Sequence, residues 1–102
     1  MSNFLLELAK TIESKKEEDP EKSYTAFLLS KGFNECLNKL QEESEEFAEA
    51  IKNNSNIVHE SADVIYHFLV TLESRGIKFI DVIKELEKRK NKSGIEEKKN
   101  RK

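Results

Sequence analysis

Residues 41–69 read QEESEEFAEAIKNNSNIVHESADVIYHFL, and this stretch decides the fold. Glu43 and Glu46 lie before the polar cluster NNSN, Glu60 and Asp63 after it, and both pairs have the spacing acid-x-x-acid. Apolar residues recur at helical intervals on both sides. Before the cluster, Phe33, Cys36, Leu37, Leu40, Phe47 and Ile51 form one stripe, which predicts a helix over 34–52. Successive residues turn by about 100°, so Glu43 and Glu46 sit about 60° apart on one flank of that stripe, with Lys39 and Ala50 between them in angle. After the cluster, a helix over 57–75 stops at Gly76. It is apolar almost all round, so burial on most sides is expected. Glu60, Asp63 and His67 share its one polar strip at i, i+3 and i+7. His59 is read as facing away from that strip and receives no role.

The two acidic pairs are mirrored about position 53, inside the turn cluster. In an antiparallel hairpin, Glu46 then faces Glu60, and Glu43 faces Asp63 about 4.5 Å further along the axis. Anions gathered so closely repel one another strongly. Either some are protonated or a cation sits among them. All-oxygen carboxylate sites suit Mg²⁺ or Mn²⁺. Magnesium commonly bridges to phosphate oxygens, which makes a phosphate compound the implied substrate.

Working outward, Phe4, Leu5, Leu8 and Ile12 predict a first helix over 3–17. In EEDPEK, Asp19 suits an N-cap with Pro20 at the first helical position. The short helix that follows has Tyr24, Phe27 and Leu28 on its apolar side, Tyr24 being read as core, and Gly32 suits its end. A fifth helix begins near Lys78. Ile77 and Val82 are spaced as a hydrophobic staple, and Val82, Ile83 and Leu86 form its inner face. No strand pattern competes. The fold expected is all-α: a compact bundle of about five helices in one domain over 1–90. Residues 91–102, a charged tail, are expected to be disordered.

Of the 102 residues, 37% are charged and 36% hydrophobic, so apolar surface for burial is limited. An oligomer that shares its core is expected. A formal net charge of −2 offers nucleic acid no general attraction. The single cysteine, Cys36, excludes an intrachain disulfide, fits a reducing compartment and lies on an apolar face, where it reads as a structural thiol. No apolar run approaches the roughly 20 residues of a membrane span. The start, MSNFLLELAK, lacks the apolar region of a signal peptide, and a cytoplasmic location is expected.

Three segments carry a family resemblance: SYTAFLLSKG (23–32), KLQEESEE (39–46) and ESADVIYHFLVTLESRGI (60–77). Together they resemble phosphoribosyl-ATP pyrophosphohydrolase of histidine biosynthesis, over about residues 5–90. That family lies within the all-α NTP pyrophosphohydrolase superfamily, with the MazG-like enzymes. The paired acids are common to the superfamily, whereas SYT and ESADxxYHxLV resemble the histidine branch. The resemblance implies a MazG-like bundle that dimerises, with a Mg²⁺ site between helices. By motif position, Glu43, Glu46, Glu60 and Asp63 carry over as metal ligands and catalytic residues, and Glu42 as a weaker one. Tyr66 and His67 match the family's Tyr-His pair. Gln41 and Glu45 depart from the usual Gly and small residue, and Phe27 stands where the family often has Lys.

The implied reaction cleaves the α–β phosphoanhydride of phosphoribosyl-ATP, giving phosphoribosyl-AMP and pyrophosphate. Ser23, Thr25, Lys39 and His67 are the implied substrate contacts. Each has a plainer reading. Ser23 and Thr25 suit a cap or turn, Lys39 an i, i+4 pair with Glu43, and His67 a bond to a neighbouring acid. Two alternatives stay open for the whole chain. QEESEEFAEAI is also similar to MazG-type enzymes, which implies clearance of other nucleoside triphosphates. A helical dimerisation module without chemistry is the other.

Overall fold

The computed structural model describes residues 3–90. Five helices follow in order: α1 (Phe4–Lys15), α2 (Tyr24–Lys31), α3 (Phe33–Asn53), α4 (Ile57–Ser74) and α5 (Phe79–Arg89). No strand occurs among the described residues. The architecture is the expected all-α bundle. The tail at 91–102 lies outside the described residues.

Helices α3 and α4 form the antiparallel hairpin that the mirrored acids require, and theirs is the most extensive packing in the fold. Two left-handed asparagines make the turn: Asn54 at φ 53° and Asn56 at φ 58°. Asparagine is the non-glycine residue that best tolerates this region. The Ser55 N–H donates to the Ala50 carbonyl at 3.1 Å and the Asn54 N–H to the Ile51 carbonyl at 3.4 Å, which closes the end of α3. The same device ends α4. Gly76 sits at φ 71°, and the Ile77 N–H donates to the Leu72 carbonyl at 3.0 Å.

The second helix starts later than its sequence suggests. Asp19 takes the Glu21 N–H on its side chain at 2.9 Å, and its carbonyl accepts from Lys22 and Ser23. That arrangement makes a turn of Pro20 and its neighbours rather than a helical first turn. Ser23, in extended conformation, is the true N-cap: its hydroxyl accepts from the Ala26 N–H at 3.1 Å.

The core is small. Ile12, Leu28, Cys36, Leu69 and Val70 form it, with Leu8, Ala9, Leu29, Tyr66, Phe68 and Phe79 packed around them. Burying Leu28 and Val70 completely contributes about 1.5–3 kcal/mol each. The Cys36 thiol is buried, donates to the Leu28 carbonyl at 3.3 Å, and is pushed up in pKa chiefly by burial. It is a structural thiol.

Burial departs from expectation in three places. Helix α4 is covered on most sides but keeps one apolar side open: Val58 is 83% exposed, Ile65 42%, and Ala62 between them is also exposed. They lie at i, i+4 and i+7, so one apolar stripe of α4 meets solvent in the single chain. The reason is that α1, α2 and α3 pack on its other sides. Tyr24, expected in the core, is 53% exposed, and Leu86 on α5 is also exposed.

Candidate functional site

The hairpin sets the site. Carboxylate oxygens of Glu43 and Glu46 from α3 and of Glu60 from α4 lie within 4.8 Å of one another. Asp63 joins a second, overlapping group with Glu60 and His59, again within 4.8 Å. Glu60 is common to both groups. The four acids therefore gather along one seam, as two groups sharing a member.

Two carboxylate oxygens, Glu43 Oε1 and Glu60 Oε1, are shut off from solvent and have no hydrogen-bond partner among the described residues. Buried oxygens of this kind are costly unless something positive meets them. Burial pushes the Glu43 carboxyl above its ordinary range, and the charges of Glu46, Asp63 and Glu60 add to this, while His67 opposes it. Two oxygens on one Mg²⁺ stand at most about 4.2 Å apart, twice a bond of about 2.1 Å. Small side-chain rotations would bring the three carboxylates of the first group to that spacing. The donor set and its orphaned oxygens thus fit a hard divalent cation. Beside the acids, an open pocket of about 280 Å³ runs along the hairpin turn, with Glu46, Glu49, Asn53, Asn56 and Glu60 in its wall. Another cavity, about 270 Å³, lies between α1 and the α4–α5 junction. Its acids, Glu13 and Glu73, are paired with Lys78 and Lys16, so it has no free carboxylate cluster.

The structure puts the remaining sequence-selected residues to definite uses. Ser23 is engaged as the α2 cap. The Thr25 hydroxyl shares a hydrogen bond with the Tyr66 hydroxyl. Lys39 pairs with Glu42 at 3.7 Å rather than with Glu43. His67 is buried, and its Nδ1–H donates to the Asp63 carbonyl one turn earlier at 2.9 Å, not to a carboxylate. Its Nε2 lies 3.5 Å from the Tyr24 hydroxyl. The Tyr24 ring lies roughly parallel to both Tyr66 and Phe27, so exposed aromatic surface adjoins the acidic seam.

One residue was missed. His59 does not face away: its Nε2 stands 3.3 Å from Asp63 Oδ2. The polar strip drawn through Glu60 and His67 left out the opposite flank of Asp63, where His59 lies at i−4. The HESAD spacing contained that signal.

Comparison with known proteins adds an independent line. The family model described as phosphoribosyl-ATP pyrophosphohydrolase matches residues 5–90. A Ruegeria pomeroyi protein named phosphoribosyl-ATP pyrophosphatase is 47% identical over 98 residues, covering 94% of this chain and 93% of the relative. One of the same name from Paracoccus denitrificans is 46% identical, covering 93% and 90%. Another from Hydrogenovibrio crunogenus is 44% identical, covering 99% and 96%. With nearly the whole of each relative matched and the acidic seam in the matched region, this chain belongs to the phosphoribosyl-ATP pyrophosphohydrolase family.

Proposed function

We propose that this protein hydrolyses phosphoribosyl-ATP at its α–β phosphoanhydride, releasing phosphoribosyl-AMP and pyrophosphate in histidine biosynthesis. Family membership supports the reaction, and the observation that carries its chemistry is the pair of buried, unpartnered oxygens on Glu43 and Glu60. Glu43, Glu46, Glu60 and Asp63 would hold Mg²⁺, and Mn²⁺ suits the same oxygens. When bound, the cation supplies neutralisation of charge on the departing pyrophosphate and orientation of the polyphosphate. The carboxylates fix that geometry by their place on two rigid helices. A carboxylate not fully engaged takes the proton of the attacking water. Lys39, half-buried beside the seam, supplies positive charge for a phosphate oxygen, and Tyr24 offers an exposed ring face to the nucleoside part. Ser23 and Thr25 contribute by fixing the start of α2 and Tyr66 around that ring.

The active form is a homodimer in which a second copy covers the apolar stripe of Val58, Ala62 and Ile65. Cytoplasmic placement is part of the same reading. No helix among the described residues is long and apolar enough to cross a membrane.

The test is a substrate comparison with Mg²⁺ present. Phosphoribosyl-ATP is expected to exceed dUTP and the common triphosphates in kcat/KM by about 100-fold or more. A preference for simple triphosphates would replace this reading with nucleotide clearance. Turnover and Mg²⁺ binding unchanged in Glu60→Gln and Asp63→Asn would leave a helical module without chemistry.

A further inference from the structure

We propose that His67 is the positioning residue of the nucleoside subsite: it anchors the Tyr24 hydroxyl and so holds an exposed ring ready to stack on the substrate's base. The inference deepens the proposed function and rests on its reading of Tyr24 as the surface that meets the nucleoside. His67 acts through Tyr24 and not by a substrate contact of its own.

His67 is the one buried polar or charged residue among the described residues, at 7% exposure. Such a side chain is costly to bury unless its ring nitrogens are engaged. Nδ1 faces the Asp63 carbonyl at 2.9 Å, and a carbonyl only accepts, so Nδ1 carries a proton. In the neutral ring Nε2 is then an acceptor. The group that faces it is the Tyr24 hydroxyl at 3.5 Å, which donates. That is the long end of the hydrogen-bond range, as is common before a substrate closes a site. The ring contacts agree. The imidazole stands edge-on to both tyrosines, at 75° to Tyr24 with centroids 6.2 Å apart and at 88° to Tyr66 with centroids 5.0 Å apart. Tyr66 is tied in turn to Thr25, the neighbour of Tyr24 in the chain.

Tyr24 thereby combines two opposed properties. It is 53% exposed, yet its hydroxyl end is held by a buried group. A tyrosine that served only the core would bury its ring and turn its hydroxyl to water. Tyr24 does the reverse. Lys39 and Glu43 stand near enough for their charges to act on its hydroxyl, so the ring borders the acidic seam. Holding the ring in place before the base arrives removes an ordering cost from binding. Asp63 supplies the far end of the link. Its carbonyl fixes the imidazole, so the turn of α4 that carries a proposed metal ligand also orients the surface offered to the nucleoside.

The experiment measures kcat and KM for phosphoribosyl-ATP, with Mg²⁺ present, in the full chain and in His67→Asn, His67→Gln, Tyr24→Phe and the double variant His67→Asn with Tyr24→Phe. Asn keeps a donor near the Nδ1 position and loses the reach to Tyr24, whereas Gln carries an acceptor as far as Nε2. His67→Asn and Tyr24→Phe are each expected to raise KM about fivefold while lowering kcat less than about twofold. The double variant is expected to raise KM no further than His67→Asn alone, because the link is already broken. His67→Gln is expected to recover most of the loss. Tyr24→Phe alters an exposed residue, so it reads the same link should His67→Asn unfold. Asn and Gln variants that melt alike and differ in KM would support positioning over a merely structural role. Equal KM in those two variants, an unmoved KM in Tyr24→Phe, single effects that multiply in the double variant, or a fall in kcat with KM unmoved would overturn the proposal. Should wild type prefer simple triphosphates, the same comparison on that nucleotide still decides the role of His67, so the two readings fail separately.

Discussion

Glu43 on α3 and Glu60 on α4 meet across the hairpin with carboxylate oxygens within 4.8 Å, and each buries an oxygen to which nothing among the described residues donates. The metal-free fold therefore holds two like charges where they repel. Glu60→Gln replaces one with an amide whose N–H can donate to Glu43. The metal-free variant is expected to gain about 1 kcal/mol, a rise in Tm of about 4–8 °C for a domain of this size. It is also expected to lose the rise in Tm that Mg²⁺ gives the wild type. Thermal melts with and without Mg²⁺ check both. A metal-free variant no more stable than wild type, with the Mg²⁺ effect intact, would remove Glu60 from the site.

Thr25 and Tyr66 tie α2 to α4 through one shared hydroxyl bond. Thr25→Val and Tyr66→Phe are each expected to cost about 1 kcal/mol in denaturant unfolding. The double variant should cost less than the two together, because the second change removes nothing further from the bond. Strict additivity would mean that the two hydroxyls do not act as a pair.

Lys78 donates to Glu13 at 2.6 Å, joining the start of α5 to α1. That hydrogen bond and charge hold the Glu13 carboxyl below its usual range, and Glu13 raises Lys78 in return. A lowered carboxylate stabilises the fold above its unfolded value of about 4.3, and this is lost as pH falls through the folded value. A raised lysine stabilises below about 10.4, and this is lost as pH rises through its own folded value. The difference in Tm between wild type and Glu13→Gln is thus expected to be level from about pH 5 to 10 and to close at both ends. It should be small and shrink in high salt, since both groups are exposed. A difference that grows on acidification contradicts the pairing.

Val58 and Ile65 lie on one stripe of α4 that stays exposed among the described residues. Ile65→Lys puts a charge into that stripe without touching the core. Sedimentation equilibrium is expected to give a dimer for wild type and a monomer for the variant. Identical masses would place the subunit contact elsewhere or show that there is none.

The hairpin was legible in the sequence because its causes are local. The apolar period of Phe33 to Ile51, the NNSN cluster and the fixed rise of a helix put Glu46 and Glu60 at one height whatever else the chain does. The same holds for Gly76, whose left-handed backbone ends α4. Asp19 shows the limit of local signals: an N-cap and an Asx turn demand the same residue. Only the bonds it makes to Glu21, Lys22 and Ser23 distinguish them.

By itself the sequence determined where the helices run, how two of them pair, and that four acids line one seam, since periodicity and capping depend on near neighbours alone. Tertiary structure decided which side chains were left without partners. It turned His67 to a backbone carbonyl, brought His59 against Asp63 and left Tyr24 and the Val58–Ile65 stripe uncovered. Those outcomes depend on rotamers and on which faces other helices occlude, and helical angle specifies neither.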